Sequence, residues 1–85
     1  MKVLIPSPLL SYTGEREVEA AGPTVAEVIA DLDRQFPGFR FRIVDEQGRM
    51  RVYMRFFVNG EQVFEMGHPL RPADTVQIVQ ALSGG

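Results

Sequence analysis

The 85-residue sequence predicts an α+β fold, with one main amphipathic helix on the apolar face of a mixed, four- to five-stranded sheet. Three observations carry that expectation. A capped apolar stripe of helical period occupies residues 24–36. An Asn59-Gly60 pair joins two alternating segments. Short alternating segments lie near both ends of the chain, at residues 2–5 and 75–80.

The first strand is expected over Lys2 to Ile5, with Val3 and Ile5 on one face because strand side chains alternate. Pro6 and Pro8 have no N–H to donate to a ladder, so the chain bends there or lies near an edge. Thr13-Gly14 marks a turn. From Glu15 to Ala20 the glutamates at 15, 17 and 19 face outward while Val18 and Ala20 face inward, the pattern of a half-buried strand. Two strands this close are expected to form a hairpin.

The helix has the clearest signature. Thr24 is a good N-cap, and Glu27 three residues later completes a capping box. Val25, Val28, Ile29, Leu32 and Phe36 then form one apolar stripe over about three turns. Asp31, Asp33 and Arg34 take the wet side, and Pro37-Gly38 stops the helix.

Residues 39–52 admit two readings. Phe39-Arg40-Phe41-Arg42-Ile43 alternates like a strand, yet it also fits a short helical turn whose rings cap the core. A helical turn followed by a loop is preferred. Asp45-Glu46-Gln47-Gly48 has the composition of a turn.

Asn59-Gly60 is a strong hairpin signal, because both residues tolerate the positive φ of a type I′ turn. A two-residue loop sets Val58 opposite Glu61 and Phe56 opposite Val63. Met54, Phe56, Val58 and Val63 then face the core, and Phe57, Gln62 and Phe64 share the other face. Leu70 leads into a last strand, Thr75 to Gln80, with Val76 and Ile78 inward. The helix provides a crossover, so the first and last strands can pair in parallel at the centre of the sheet. This element order is the β-grasp, or ubiquitin-like, architecture. The expected division is a β-grasp domain at 1–80 and a flexible tail at 81–85.

Composition narrows the function. The chain holds no cysteine, hence no disulfide and no thiolate for catalysis, redox work or zinc binding. His68, the only histidine, sits in a Gly-His-Pro turn and reads as a surface loop residue. No constellation for acid–base or nucleophilic chemistry emerges, so the chain is not expected to be an enzyme. No apolar run approaches the length of a membrane span, and no signal-peptide pattern opens the sequence, so a cytoplasmic location is expected. A net charge of −2 argues against general nucleic-acid binding. Five of the nine basic residues nevertheless cluster at Arg40, Arg42, Arg49, Arg51 and Arg55. They form either a solvated face or a docking surface for an acidic partner.

The sequence resembles the ThiS/MoaD family of ubiquitin-like sulfur carriers. The residues that carry the resemblance are Val58-Asn59-Gly60 with Val63, then Leu70-Arg71-Pro72-Ala73-Asp74-Thr75-Val76, then Gly84-Gly85. Ala73 stands where the family usually has glycine before the aspartate. The stretch from Pro37 to Tyr53 is similar to that of the longer members, those of molybdopterin synthesis and the CysO-like carriers of cysteine synthesis.

The resemblance implies a mechanism centred on the tail of Leu82, Ser83, Gly84 and Gly85. An adenylyltransferase related to ubiquitin-activating enzymes would use ATP and Mg to adenylate the Gly85 carboxylate. A sulfur donor would convert the adenylate to a thiocarboxylate, and a synthase would accept the sulfur into a small molecule. No cofactor is expected on the chain itself. Glycine at 84 and 85 suits passage through a narrow channel, and five extended residues reach about 17 Å. Phe57, Val79 and Phe64 are the candidates for partner docking, as an exposed apolar cluster on the sheet face away from the helix. Two other readings share the fold: a protein modifier joined to lysines through Gly85, and a non-covalent interaction module.

Overall fold

The computed structural model describes residues 1–81; Leu82, Ser83, Gly84 and Gly85 lie outside the described residues. Five strands form one sheet in the order β2-β1-β5-β3-β4. They are β1 (Lys2–Leu4), β2 (Glu17–Glu19), β3 (Met54–Val58), β4 (Glu61–Val63) and β5 (Thr75–Gln80). β5 is the middle strand. It runs parallel to β1 and antiparallel to β3, with Val3 opposite Val76 and Phe56 opposite Ile78. The β-grasp expectation is met, including the central parallel pair.

The main helix, α2 (Val25–Gln35), lies across one face of this sheet. Val25, Val28, Ile29 and Leu32 are fully buried against Val3, Val18, Phe56, Val76 and Ile78. Each such side chain contributes about 1.5–3 kcal/mol on burial, so the stripe is what fixes the helix to the sheet. Phe36 departs from the expectation. It is the C-cap residue, outside the helix and only half-buried, because φ −131° and ψ 86° turn the chain away there.

The start of α2 is held by the Thr24 arm of the expected capping box and by the loop before β5; among the described residues, the reciprocal bond from Thr24 N–H to the Glu27 side chain does not form. Glu27 N–H donates to Thr24 Oγ1 at 3.3 Å. Val25 N–H and Ala26 N–H donate to the carbonyls of His68 and Met66, at 3.1 and 2.8 Å. The loop before β5 thus satisfies donors that a helix leaves unpaired at its first turn. His68, as expected, is a loop residue, and its carbonyl has this structural role.

β1 and β2 pair antiparallel, as the expected hairpin requires, and their connection holds more than the turn marked at Thr13-Gly14. A 3₁₀ turn at Ser7–Leu9 runs into a short helix, α1 (Leu10–Thr13), which ends at Gly14 with φ 73°. Pro8 is tolerated in the first turn because no N–H is needed there, and Leu9 fills the core beneath. The strands themselves are shorter than expected at β2, which spans Glu17–Glu19 only.

The ambiguous segment is helical. α3 (Phe39–Ile43) buries Phe39 and Ile43 completely and leaves Phe41 66% exposed. Tyr12 of α1 packs edge-on to Phe39 at 6.2 Å. Beyond α3, Asp45 Oδ1 accepts from Gln47 N–H and Arg49 N–H, both at 2.9 Å, which closes the expected turn. A bridge between Val44 and Met50 returns the chain to the sheet. No helix among the described residues is long and apolar enough to cross a membrane.

Candidate functional site

The tail candidates Leu82, Ser83, Gly84 and Gly85 lie outside the described residues, so the site is built from what precedes them. The last described residues leave the middle strand of the sheet. Gln80 pairs with Met54, and Ala81 N–H still donates to the Tyr53 carbonyl at 2.7 Å. The chain is therefore held by its ladder up to residue 81. The point of departure is fixed relative to Val52, Tyr53 and Arg55.

The strand leading there is set in register by a clamp at its other end. Asn59 has φ 50° and Gly60 φ 88°, the paired positive values of the expected hairpin turn. Asn59 Nδ2 donates to Asp74 Oδ1 at 2.9 Å, and Thr75 N–H donates to Asn59 Oδ1 at 2.9 Å. Asp74 Oδ2 accepts from Arg71 N–H at 2.8 Å. That backbone N–H, followed by the Asn59 amide, holds the Asp74 carboxyl below its ordinary pKa. Asn59 is the only non-glycine residue with positive φ among those described, so Ala73 sits without strain where the family usually has glycine.

The docking candidates are only partly brought together. Phe57, opposite Gln77 on one side and Gln62 on the other, is half-buried. Val79, opposite Arg55, is half-buried and lines a shallow depression with Leu4, Pro6 and Pro8. Of the three, Phe64 alone is fully exposed, at 77%. Phe64 lines a separate hollow with Met50, Arg51, Val52 and Arg55. The expected single apolar cluster is therefore interrupted by the Arg55 position.

Sequence reasoning did not single out Val52, 87% exposed, or the pairing of Phe41 with Arg51. Val52 follows from no periodic pattern. Phe41 and Arg51 come from two different segments, brought together by the Val44–Met50 bridge and by the Arg51 Nε bond to the Phe41 carbonyl. The five arginines of the cluster diverge. The Arg42 guanidinium sits over the Tyr12 ring at 5.8 Å, and that of Arg51 over Phe41 at 4.9 Å.

Comparison with known proteins agrees with this architecture. The ThiS family model matches residues 3–85. The sulfur carrier protein CysO of Mycobacterium tuberculosis is 33% identical over 89 aligned residues, covering 98% of this chain and 96% of that protein. A chain in the crystal structure of the Amycolatopsis orientalis BexX/CysO complex superposes with a TM-score of 0.91 at 34% identity, covering 99% of this chain and 98% of that one. The crystal structure of Mycobacterium tuberculosis CysO gives 0.89 at 30% identity, covering 95% and 98%. With a family match along nearly its full length and relatives of this identity, the chain belongs to the ThiS family.

Proposed function

We propose that this protein is a sulfur carrier, a small co-substrate that partner enzymes load and unload. The observation that carries the reading is the family match, which runs through Gly84 and Gly85, in a chain similar over its length to a sulfur carrier protein. The architecture supports it. Ala81, the last described residue, leaves the middle strand of the sheet and is still bonded to Tyr53.

The chemistry takes place at the carboxylate of Gly85. The carboxylate attacks the α-phosphorus of ATP in an activating partner, and pyrophosphate leaves. The acyl carbon of the adenylate is now electrophilic. Hydrosulfide, or a sulfur donor equivalent to it, attacks that carbon, and AMP departs with the bonding electrons. The product is a thiocarboxylate at Gly85. ATP and Mg belong to the partner's site. A synthase then takes the sulfur into a small molecule, and the similarity to CysO favours cysteine as the destination.

This chain's own contributions are presentation and fit. Glycine at 84 and 85 leaves no Cβ to obstruct a channel. The absence of cysteine leaves no internal thiol to divert the activated acyl group. The test is deletion of Gly84-Gly85. The truncated protein should keep the wild-type melting temperature and lose ATP-dependent charging by the activating enzyme. Charging that survives the deletion contradicts the assignment, and a Gly-Gly remnant on target lysines would identify a modifier.

A further inference from the structure

Among the described residues, the three most exposed large apolar side chains, Phe41, Val52 and Phe64, gather around two arginines at the end of the sheet where residue 81 leaves it. Val52 and Phe64 share a hollow of about 310 Å³ with Met50, Arg51, Arg55 and Gln62. Phe41 flanks it by stacking on Arg51 at 4.9 Å. Among the described residues, no carboxylate lines this hollow.

Both guanidiniums are held from behind. Arg51 Nε donates to the Phe41 carbonyl at 2.8 Å. Arg55 Nη1 donates to the carbonyls of Val52 and Met54. Each arginine has five N–H donors, so most remain for an incoming group. Among the described residues, neither forms an ion pair. A guanidinium already fixed in place loses little freedom on binding a carboxylate, and its planar edge favours two-point contact.

The charge distribution gives the sign of the partner. Between Phe39 and Arg55, five arginines stand against Asp45 and Glu46, a net +3, while the rest of the chain carries −5 of the total −2. The hollow is thus a local positive field on an acidic protein. Exposed aromatic and aliphatic surface beside it supplies the apolar contact that a salt-screened charge pair lacks.

We propose that this hollow docks an acidic, apolar-bearing segment of the activating enzyme, with carboxylates on Arg51 and Arg55 and an apolar side chain between Val52 and Phe64. The identity of that partner rests on the carrier reading. The position beside Ala81 means that docking here orients the globule as the end of the chain enters the enzyme. Charge at such a site chiefly raises the association rate and the specificity.

The test measures the dissociation constant between the full chain and its activating enzyme, alongside charging at saturating enzyme. The double variant Arg51→Gln/Arg55→Gln should raise Kd about tenfold or more, whereas Arg71→Gln, which removes one positive charge elsewhere, should change it less than about twofold. Val52→Ser and Phe64→Ser, both on exposed side chains, should weaken binding without lowering the melting temperature. Wild-type binding should weaken steeply as ionic strength rises from about 0.01 to 1 M, where the screening length falls from about 30 to 3 Å. That arm needs no variant and so survives any folding defect in the double mutant. Unchanged Kd in the arginine and serine variants, or salt-independent binding, overturns the docking proposal while intact charging keeps the carrier reading. Binding of single-stranded RNA that depends on Arg51 and Arg55, with enzyme affinity unaffected, overturns it as well. Failure of the wild type to be charged overturns the carrier reading itself.

Discussion

Asn59 and Asp74, fifteen residues apart in sequence, are joined at 2.9 Å from Nδ2 to Oδ1, and this contact ties the hairpin turn to the start of the central strand. Asn59 Oδ1 accepts the Thr75 N–H, and Asn59 N–H donates to the Thr75 carbonyl at 2.9 Å. One side chain thus aligns β3 with β5, the strand that leads toward the end of the chain.

Replacing Asn59 with glycine should separate the clamp from the turn. Glycine keeps the positive φ at no steric cost and removes both side-chain hydrogen bonds. The expected loss is about 1–2 kcal/mol, measured by urea unfolding. A loss below about 0.3 kcal/mol would show that the clamp adds nothing to the backbone pairing around it.

Acid should weaken the fold through three carboxylates. Asp31, Asp45 and Asp74 are all held below the ordinary value of 3.8, chiefly by the backbone N–H groups of Ala21, Arg49 and Arg71 respectively. Their folded-state pKa values are depressed, so the unfolded chain binds more protons and stability rises with pH across this range. The contribution is complete above 3.8 and is lost as pH falls through the lower folded values. In Asp74→Asn the urea midpoint should therefore vary less between pH 6 and about pH 2 than in wild type. Identical profiles would refute the role of the Asp74 carboxylate.

How much of this was legible in the sequence differs by element. The α2 stripe and the β3–β4 register were readable because each rests on local spacing: 3.6-residue periodicity for one, a two-residue Asn-Gly loop for the other. α3 was ambiguous because Phe39, Phe41 and Ile43 share a strand face, while a helix buries only Phe39 and Ile43, four residues apart. Tertiary packing against Tyr12 and Phe36 decides for the helix. The 3₁₀ turn and α1 were missed, since Pro6 and Pro8 speak against a strand without naming what replaces it. The Arg51–Phe41 stack and the Asn59–Asp74 clamp join distant loops, and no periodicity encodes them.

Gly22 is a further requirement that no pattern revealed. A Cβ there would lie 2.8 Å from both the Glu27 carbonyl carbon and the Val28 nitrogen, which are backbone atoms that cannot swing aside. Gly22→Ala should cost about 1–3 kcal/mol through overpacking. Gly67→Ala, with nothing within 4 Å of the added carbon, should stay within about 0.5 kcal/mol. Thermal unfolding of the two variants side by side gives the answer, and equal melting temperatures would contradict the close approach.

Phe57 distinguishes a docking surface from a packing one. It is half-buried, with Gln62 and Gln77 as its cross-strand neighbours. Phe57→Glu should raise the Kd for the activating enzyme at least about tenfold. The melting temperature should fall by no more than about 4–8 °C, equivalent to about 1 kcal/mol in a domain of this size. A large fall in melting temperature with unaltered binding by the folded fraction would make Phe57 a stability residue alone.

The central claim is that the Gly85 carboxylate carries sulfur. Its most direct measurement is the intact mass of the protein after reaction with its activating enzyme, MgATP and sulfide, followed by fragmentation of the C-terminal peptide. The account expects a mass gain equal to replacing one oxygen by one sulfur, localised to Gly85 and absent without ATP. An unchanged mass in a reaction where the enzyme is shown to be active, or sulfur found at any other residue, would contradict it.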